Sequence, residues 1–146
     1  MAPAQTPWQS PENPHSVHLS TRIDRSAADV YAFASAPSNV PAWAAGLGRA
    51  MEHADGRWIA DSPMGRVEVA FVPVNDYGVL DHDVILPSGE VVHNPVRVIP
   101  DGPGASEVIF TLRRRDGMTE EQFRQDAAAV RRDLATLKGV MEGEVG

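Results

Sequence analysis

The sequence predicts an α+β domain in which an antiparallel sheet packs against one long C-terminal helix. One segment of alternating polar and apolar residues lies near the N-terminus and six more lie between residues 49 and 114, a pattern typical of antiparallel strands. A single apolar stripe at helical spacing follows, from Phe123 to Met141. Because such a stripe has to be buried, we expect the helix to lie across the sheet.

Composition limits the chain to one domain and a few classes of partner. Its 146 residues, 42% of them hydrophobic, suffice for one core with a pocket. We expect a flexible Pro-rich segment over residues 1–14, a domain over 15–142 and a tail over 143–146. The formal charge of -7 disfavours nucleic acid and anionic membrane surfaces as partners.

Localisation is predicted from what the sequence lacks. It has no cysteine, which permits an intracellular setting. No apolar run approaches the ~20 residues needed to span a bilayer. These features predict a cytoplasmic protein without stable membrane insertion, either a monomer or a homodimer.

The N-terminal part predicts one strand followed by two short helices. Residues 17–23 alternate in polarity, and Ser26 is placed to cap a helix that has Asp29 in its first turn and ends near Ser35. Pro37 begins a second short helix, with Pro41 early in its 40–47 segment as a first-turn proline or a kink.

Six further strands are separated by turns. Asp55-Gly56 is a strong signal for a tight hairpin. We expect neighbouring strands to pair antiparallel. The predicted strands cover residues 49–54, 57–61, 64–74, 78–86, 90–99 and 107–114.

The hairpin over residues 80–96 places polar groups on an apolar face. A three-residue loop, Pro87-Ser88-Gly89 with Gly89 in the left-handed conformation, sets His82 opposite Asn94. That pair then shares one face with Leu80, Val84, Val92 and Val96. The other face carries Asp81, Asp83 and His93.

The C-terminal helix is the best-defined element. Thr119 and Gln122 form a capping box, and the helix continues to about Val140, roughly 22 residues or ~33 Å. Its apolar stripe consists of Phe123, Ala127, Val130, Leu134, Leu137 and Met141.

This order of elements resembles the START-like or Bet v 1-like (SRPBCC) superfamily, which includes polyketide cyclase/dehydrase-like proteins. The residues that carry the resemblance are the segment from Asp24 to Phe33, the Trp43 segment and the helix from Thr119. The resemblance covers about residues 16–142. It implies a helix-grip fold, with a seven-stranded antiparallel sheet curved around the long helix and an apolar cavity between them.

What the resemblance implies about function is a cavity for a small hydrophobic molecule such as a lipid, a polyketide or an aromatic compound. Some superfamily members are aromatase/cyclases or dehydratases, others carry ligands, and others act on protein partners. No catalytic position can be carried over to this sequence. Three functions therefore stay open: ligand binding, cyclisation or dehydration in the same cavity, and a protein-interaction module with a filled core.

We predict one set of site residues for the first two functions. His82 is the candidate proton shuttle because a neutral imidazole both donates and accepts hydrogen bonds, and Asn94 could orient it or hold a carbonyl group. The predicted ligand-binding residues are His82, Asn94, Trp43, Phe71, Phe110, Val84, Val96 and Leu134.

We predict neither a metal nor a cofactor. Asp81, Asp83 and His93 could ligate a divalent cation, but a fourth ligand is not evident, and a solvated charge pair is the simpler interpretation. The sequence contains no Gly-rich phosphate loop, no Ser-His-Asp order and no zinc spacing.

Overall fold

The structure, a computed structural model, describes residues 15–44 and 51–143. No helix in these two ranges is both long and apolar enough to cross a membrane. In chain order the elements are β1 (Ser16–Ile23), α1 (Ala27–Ala34), a short 3-10 helix (Pro37–Ala42), β2 (Met51–Ala54), β3 (Arg57–Ser62), β4 (Gly65–Phe71), β5 (His82–Ile85), β6 (Val91–Asn94), β7 (Val96–Pro100), β8 (Ser106–Arg113) and α2 (Glu120–Met141).

The strands form two antiparallel sheets, which confirms the α+β class. One sheet has the order β1-β8-β7 and the other has the order β2-β3-β4-β5-β6. The sequence predicted seven strands in one sheet, whereas the described residues form eight strands in two. The additional strand arises at Pro95, which separates β6 from β7 because proline has no N–H to donate to a sheet.

The predicted hairpin has the predicted register. His82 lies opposite Asn94 and Val84 opposite Val92, and Gly89 adopts a φ of 93° in the turn. Outside the regular strands the register continues, because the Leu80 N–H donates to the Val96 carbonyl at 2.8 Å. The pairing of residues 78–98 is therefore continuous across the bend at Pro95.

Two of the three predicted helices have the expected boundaries. The Ser26 hydroxyl accepts the Asp29 N–H at the start of α1, and Thr119 and Gln122 form both bonds of the capping box. The predicted second helix is a 3-10 helix with Pro41 inside it. The end of that prediction, residues 45–47, lies outside the described residues, as do residues 1–14 and 144–146.

α2 buries its apolar stripe against the three-stranded sheet. It packs on β1 and β8, and Leu134 and Leu137 are 2% and 0% exposed. The five-stranded sheet contributes a second apolar cluster formed by Ala60, Val67, Val69 and Val84. α2 and the two sheets thus leave space between them where the strands bend.

Candidate functional site

A cavity of about 230 Å³ opens between α2 and the inner faces of the two sheets. α1, the 3-10 helix and the residues that follow it also contribute side chains to its wall. All eight residues predicted to bind a ligand line this one cavity: Trp43, Phe71, His82, Val84, Asn94, Val96, Phe110 and Leu134.

The volume and wall of the cavity suit a compact ligand. Sites for drug-sized ligands occupy ~300–1,000 Å³, so this cavity is smaller than that range. An apolar cavity of ~150 Å³ is known to admit one benzene ring. The cavity therefore has room for one substituted ring, in contact mainly with apolar side chains.

His82 contributes a hydrogen-bond acceptor to the cavity wall. Its Nδ1 lies 3.1 Å from the Leu80 carbonyl oxygen, which can only accept. The proton is therefore assigned to Nδ1, and Nε2 carries the lone pair. Asn94 Nδ2 lies 3.5 Å from Nε2, which is the longest distance accepted for a hydrogen bond. Nε2 therefore accepts at most a weak hydrogen bond from Asn94.

The Leu80 carbonyl is available to His82 because of Asp81. In a regular antiparallel ladder the Val96 N–H would donate back to Leu80. It donates instead to Asp81 Oδ1 at 2.9 Å. The carboxylate thereby replaces a backbone acceptor at the bend and leaves the Leu80 oxygen to the imidazole.

The solvated position that the sequence predicted for Asp81 is wrong. Asp81 is 8% exposed, and Arg97 donates to both of its oxygens, from Nε at 3.0 Å and from Nη2 at 2.8 Å. The Arg97 guanidinium holds the pKa of Asp81 below its usual value, although burial opposes this. Asp81 is thus paired with Arg97 rather than grouped with Asp83 and His93.

The surroundings of His82 are aromatic and keep the ring neutral. Its ring centroid lies 5.7 Å from that of Phe71 and 6.4 Å from that of Phe110. Burial lowers the pKa of His82 below its ordinary value, which the Leu80 carbonyl partly opposes. At neutral pH the imidazole is therefore uncharged.

Trp43 adds a further polar group to the same wall. It is 7% exposed and follows the 3-10 helix directly. Its indole Nε1 is buried and has no hydrogen-bond partner among the described residues. An unpaired buried donor is unfavourable, which makes this residue the least satisfied part of the wall.

Charged residues at the cavity were missed by the sequence prediction. Arg113 is the last residue of β8 and Arg115 follows it, and Asp126 and Asp133 come from α2. Partial burial raises the pKa of Asp126, and Arg115 opposes this rise. The helical spacing of Asp126 and Asp133 with Val130 was the available signal, because it places them beside the apolar stripe.

The other candidate residues lie away from the cavity. Asp83 and His93 form an exposed pair at 2.6 Å, in agreement with the simpler interpretation. Within 15–44 and 51–143, no group of three His, Cys, Asp or Glu residues is arranged to hold a metal ion.

Comparisons with known proteins identify the fold. No protein-family model matches the chain, and no curated protein matches it. Many solved structures do. A START superfamily protein from Mycobacterium smegmatis superposes with a TM-score of 0.64 and 14% identity, covering 88% of this chain and 98% of that one.

Two similar structures are enzymes by name. The di-domain ARO/CYC protein BexL from the BE-7585A biosynthetic pathway has a TM-score of 0.61 and 16% identity, covering 84% of this chain and 45% of that one. Norcoclaurine synthase from Thalictrum flavum has a TM-score of 0.59 and 14% identity, covering 90% of this chain and 96% of that one. The chain therefore has the START/Bet v 1-like, or SRPBCC, fold, and these low identities establish the fold alone.

Proposed function

We propose that this protein binds a small hydrophobic, ring-containing molecule in the cavity between its sheets and α2. The observation that supports this most is the convergence of the eight predicted residues on one cavity of about 230 Å³. Apolar side chains would contact the ring, and His82 and Asn94 would orient it. The fold that the protein shares with ligand-binding and cyclase structures is consistent with this function.

We interpret the two sheets as one curved sheet of the helix-grip type. Two observations support this interpretation: the hairpin register continues past Pro95, and Val79 forms an isolated bridge with Arg97. Residues 91–100 then act as one bent strand that belongs to both sheets. The bend would give the sheet the curvature that a cavity beneath α2 requires.

Filling the cavity tests the proposal. Val84 is 5% exposed and lines the cavity, so Val84→Phe places a ring where the ligand would lie. We expect 4-ethyltoluene, an uncharged single-ring probe, to bind the unmodified protein in isothermal titration calorimetry. We expect Val84→Phe to weaken that binding at least tenfold.

The matched control is Val91→Phe. Val91 belongs to the same hairpin, but its side chain is on the other face and 55% exposed, so binding should not change. Native mass spectrometry of protein purified from its source would detect a molecule already carried. Failure of the unmodified protein to bind the probe, together with no carried molecule, would overturn the proposal.

Catalysis in the same cavity is the second candidate function. It is favoured by the neutral His82, whose Nε2 faces no strong protein donor, since Asn94 Nδ2 is 3.5 Å away. In a cyclisation or dehydration, Nε2 would take and return a proton, while Asn94 would hold a carbonyl group. His82→Ala should then abolish turnover of the carried molecule and leave its binding largely intact, whereas equal loss of both would indicate a binding role only.

A protein-interaction module is the third possibility, and it predicts a filled core. The cavity argues against a filled core, because its volume of about 230 Å³ equals that of several water molecules, each of which occupies ~30 Å³ in the liquid. Binding of 4-ethyltoluene that Val84→Phe abolishes would further favour the small-molecule function over this one.

A further inference from the structure

The hydrogen-bonding state of His82 restricts the chemistry of the molecule that the cavity can hold. Its two ring nitrogens have different environments. Nδ1 is directed at the Leu80 carbonyl at 3.1 Å, whereas among the described residues Nε2 has only the amide of Asn94, at 3.5 Å. We propose that the ligand is a monocyclic phenol whose hydroxyl group donates to His82 Nε2, a proposal that rests on the small-molecule function above.

The backbone determines which nitrogen carries the proton. Asp81 takes the Val96 N–H at 2.9 Å, so the Leu80 oxygen is directed to the imidazole. A carbonyl oxygen cannot donate, and the hydrogen of the ring must therefore be on Nδ1. Arg97 donates to both oxygens of Asp81 and so helps to hold this arrangement in place.

Nε2 is consequently an acceptor, and a ligand has to donate to it. Burial keeps the ring uncharged at neutral pH by lowering the pKa of His82. An ether, a ketone or an ester would place a lone pair against the lone pair of Nε2. A hydroxyl group is complementary to it and also leaves its own oxygen free to accept from Asn94 Nδ2.

The wall further selects a neutral aromatic ring. Phe71 and Phe110 both lie near the imidazole, with ring centroids at 5.7 and 6.4 Å, and aromatic side chains favour stacked or edge-to-face contact with a flat partner. A carboxylic acid would be ionised at neutral pH and would have no proton to donate, whereas a phenol keeps its proton up to about pH 10. The volume of about 230 Å³ suits a ligand with one substituted ring.

A pair of probes that differ in one hydrogen-bond donor tests the proposal. 4-Ethylphenol and its methyl ether, 4-ethylanisole, are titrated by calorimetry into the unmodified protein and into His82→Phe, which keeps a ring but removes the acceptor. We expect the phenol to bind the unmodified protein about fivefold to tenfold more tightly than the ether, as one net hydrogen bond predicts. In His82→Phe this preference should disappear.

His93→Phe is the matched control. His93 lies on the same hairpin but faces outward and pairs with Asp83, so its loss should leave the preference unchanged. Equal binding of phenol and ether by the unmodified protein would overturn the phenol proposal while leaving the small-molecule function intact. Failure of 4-ethyltoluene, the phenol and the ether to bind would overturn the phenol proposal and, together with no carried molecule, the small-molecule function as well.

A nitrogen NMR measurement on the unmodified protein does not depend on a variant folding. The ¹⁵N shift of His82 Nε2 should be that of an unprotonated nitrogen in the free protein and should move on addition of 4-ethylphenol but not of 4-ethylanisole. A protonated Nε2, or the same response to both probes, would overturn the proposal.

Discussion

Among single residues, Asp81 connects the outer face of the hairpin to the cavity. Its carboxylate accepts from the backbone of Val96 and from the side chain of Arg97, and it thereby directs the Leu80 carbonyl to His82. The pattern of alternation placed Asp81 outward correctly, but it could not show that Arg97 would cover it. That contact joins residues 16 positions apart and depends on how the strand bends.

Asp81→Asn should destabilise the protein in a pH-dependent way. The pKa of Asp81 is lowered in the folded protein, chiefly by its hydrogen bonds with Arg97. Its charge therefore stabilises the fold fully above the pKa of the unfolded carboxyl group, about 3.9, and this stabilisation is lost as the pH falls through the folded value. We expect Asp81→Asn to lower the free energy of unfolding by about 1.5–3 kcal/mol at pH 7, and by less at pH 3.

Urea denaturation at the two pH values measures this difference. Asp83→Asn is the control, since Asp83 is on the same face and pairs with the exposed His93. It should change stability little at either pH. A destabilisation by Asp81→Asn that is equal at pH 7 and pH 3 would show that the charge of Asp81 is not what stabilises the fold.

At the scale of elements, α2 was the most predictable part of the chain. Its capping box, its length and its apolar stripe are local properties that periodicity and cap residues encode. Val130 belongs to the stripe, Asp126 and Asp133 lie beside it, and all three reach the cavity. Helical spacing in the sequence showed which residues share this face of α2. The position of β8 in the fold decided that charged residues from β8 and α2 would both line the cavity.

Two leucines of α2 should respond differently to truncation. Leu137 is 0% exposed and does not line the cavity, whereas Leu134 does. Leu→Ala in a core costs about 2–5 kcal/mol, depending on the void that remains. We expect Leu137→Ala near the upper end and Leu134→Ala near the lower end, because Leu134 already has fewer packing partners on its cavity side.

Thermal and urea denaturation of the two variants would measure this order. Leu134→Ala should in addition enlarge the cavity and allow a longer alkyl chain on the phenol to bind. The reverse order of stabilities would mean that the cavity is not open beside Leu134.

At the scale of the whole molecule, the end of α2 is hydrogen-bonded to the end of β1 and to the turn that follows it. Lys138 Nζ donates to the Arg22 carbonyl at 2.8 Å, and the Asp24 N–H donates to Glu142 Oε2 at 2.8 Å. Lys138 and Glu142 also form an ion pair at 2.7 Å. Contacts between residues more than 100 positions apart thus hold the helix over the sheet, and the cavity between them depends on that position.

Glu142→Ala should loosen this end of the molecule. It removes the acceptor of the Asp24 N–H and the partner of Lys138, and we expect the free energy of unfolding to fall by about 1 kcal/mol. Hydrogen exchange should become faster in the last turn of α2. Glu142→Gln keeps an acceptor for Asp24 and should lose less, and equal losses in the two variants would assign the effect to the charge pair instead.

The sequence by itself determined the antiparallel strands, the long helix, the hairpin register and eight of the residues that line the cavity. Periodicity and turn chemistry are local, and they decide which face of an element is apolar. Only the tertiary structure decided the break at Pro95, the burial of Asp81 by Arg97 and the charged residues at the cavity. Each of these depends on contacts between residues that are distant in the sequence and come together when the sheet bends beneath α2. Local sequence patterns do not encode such contacts.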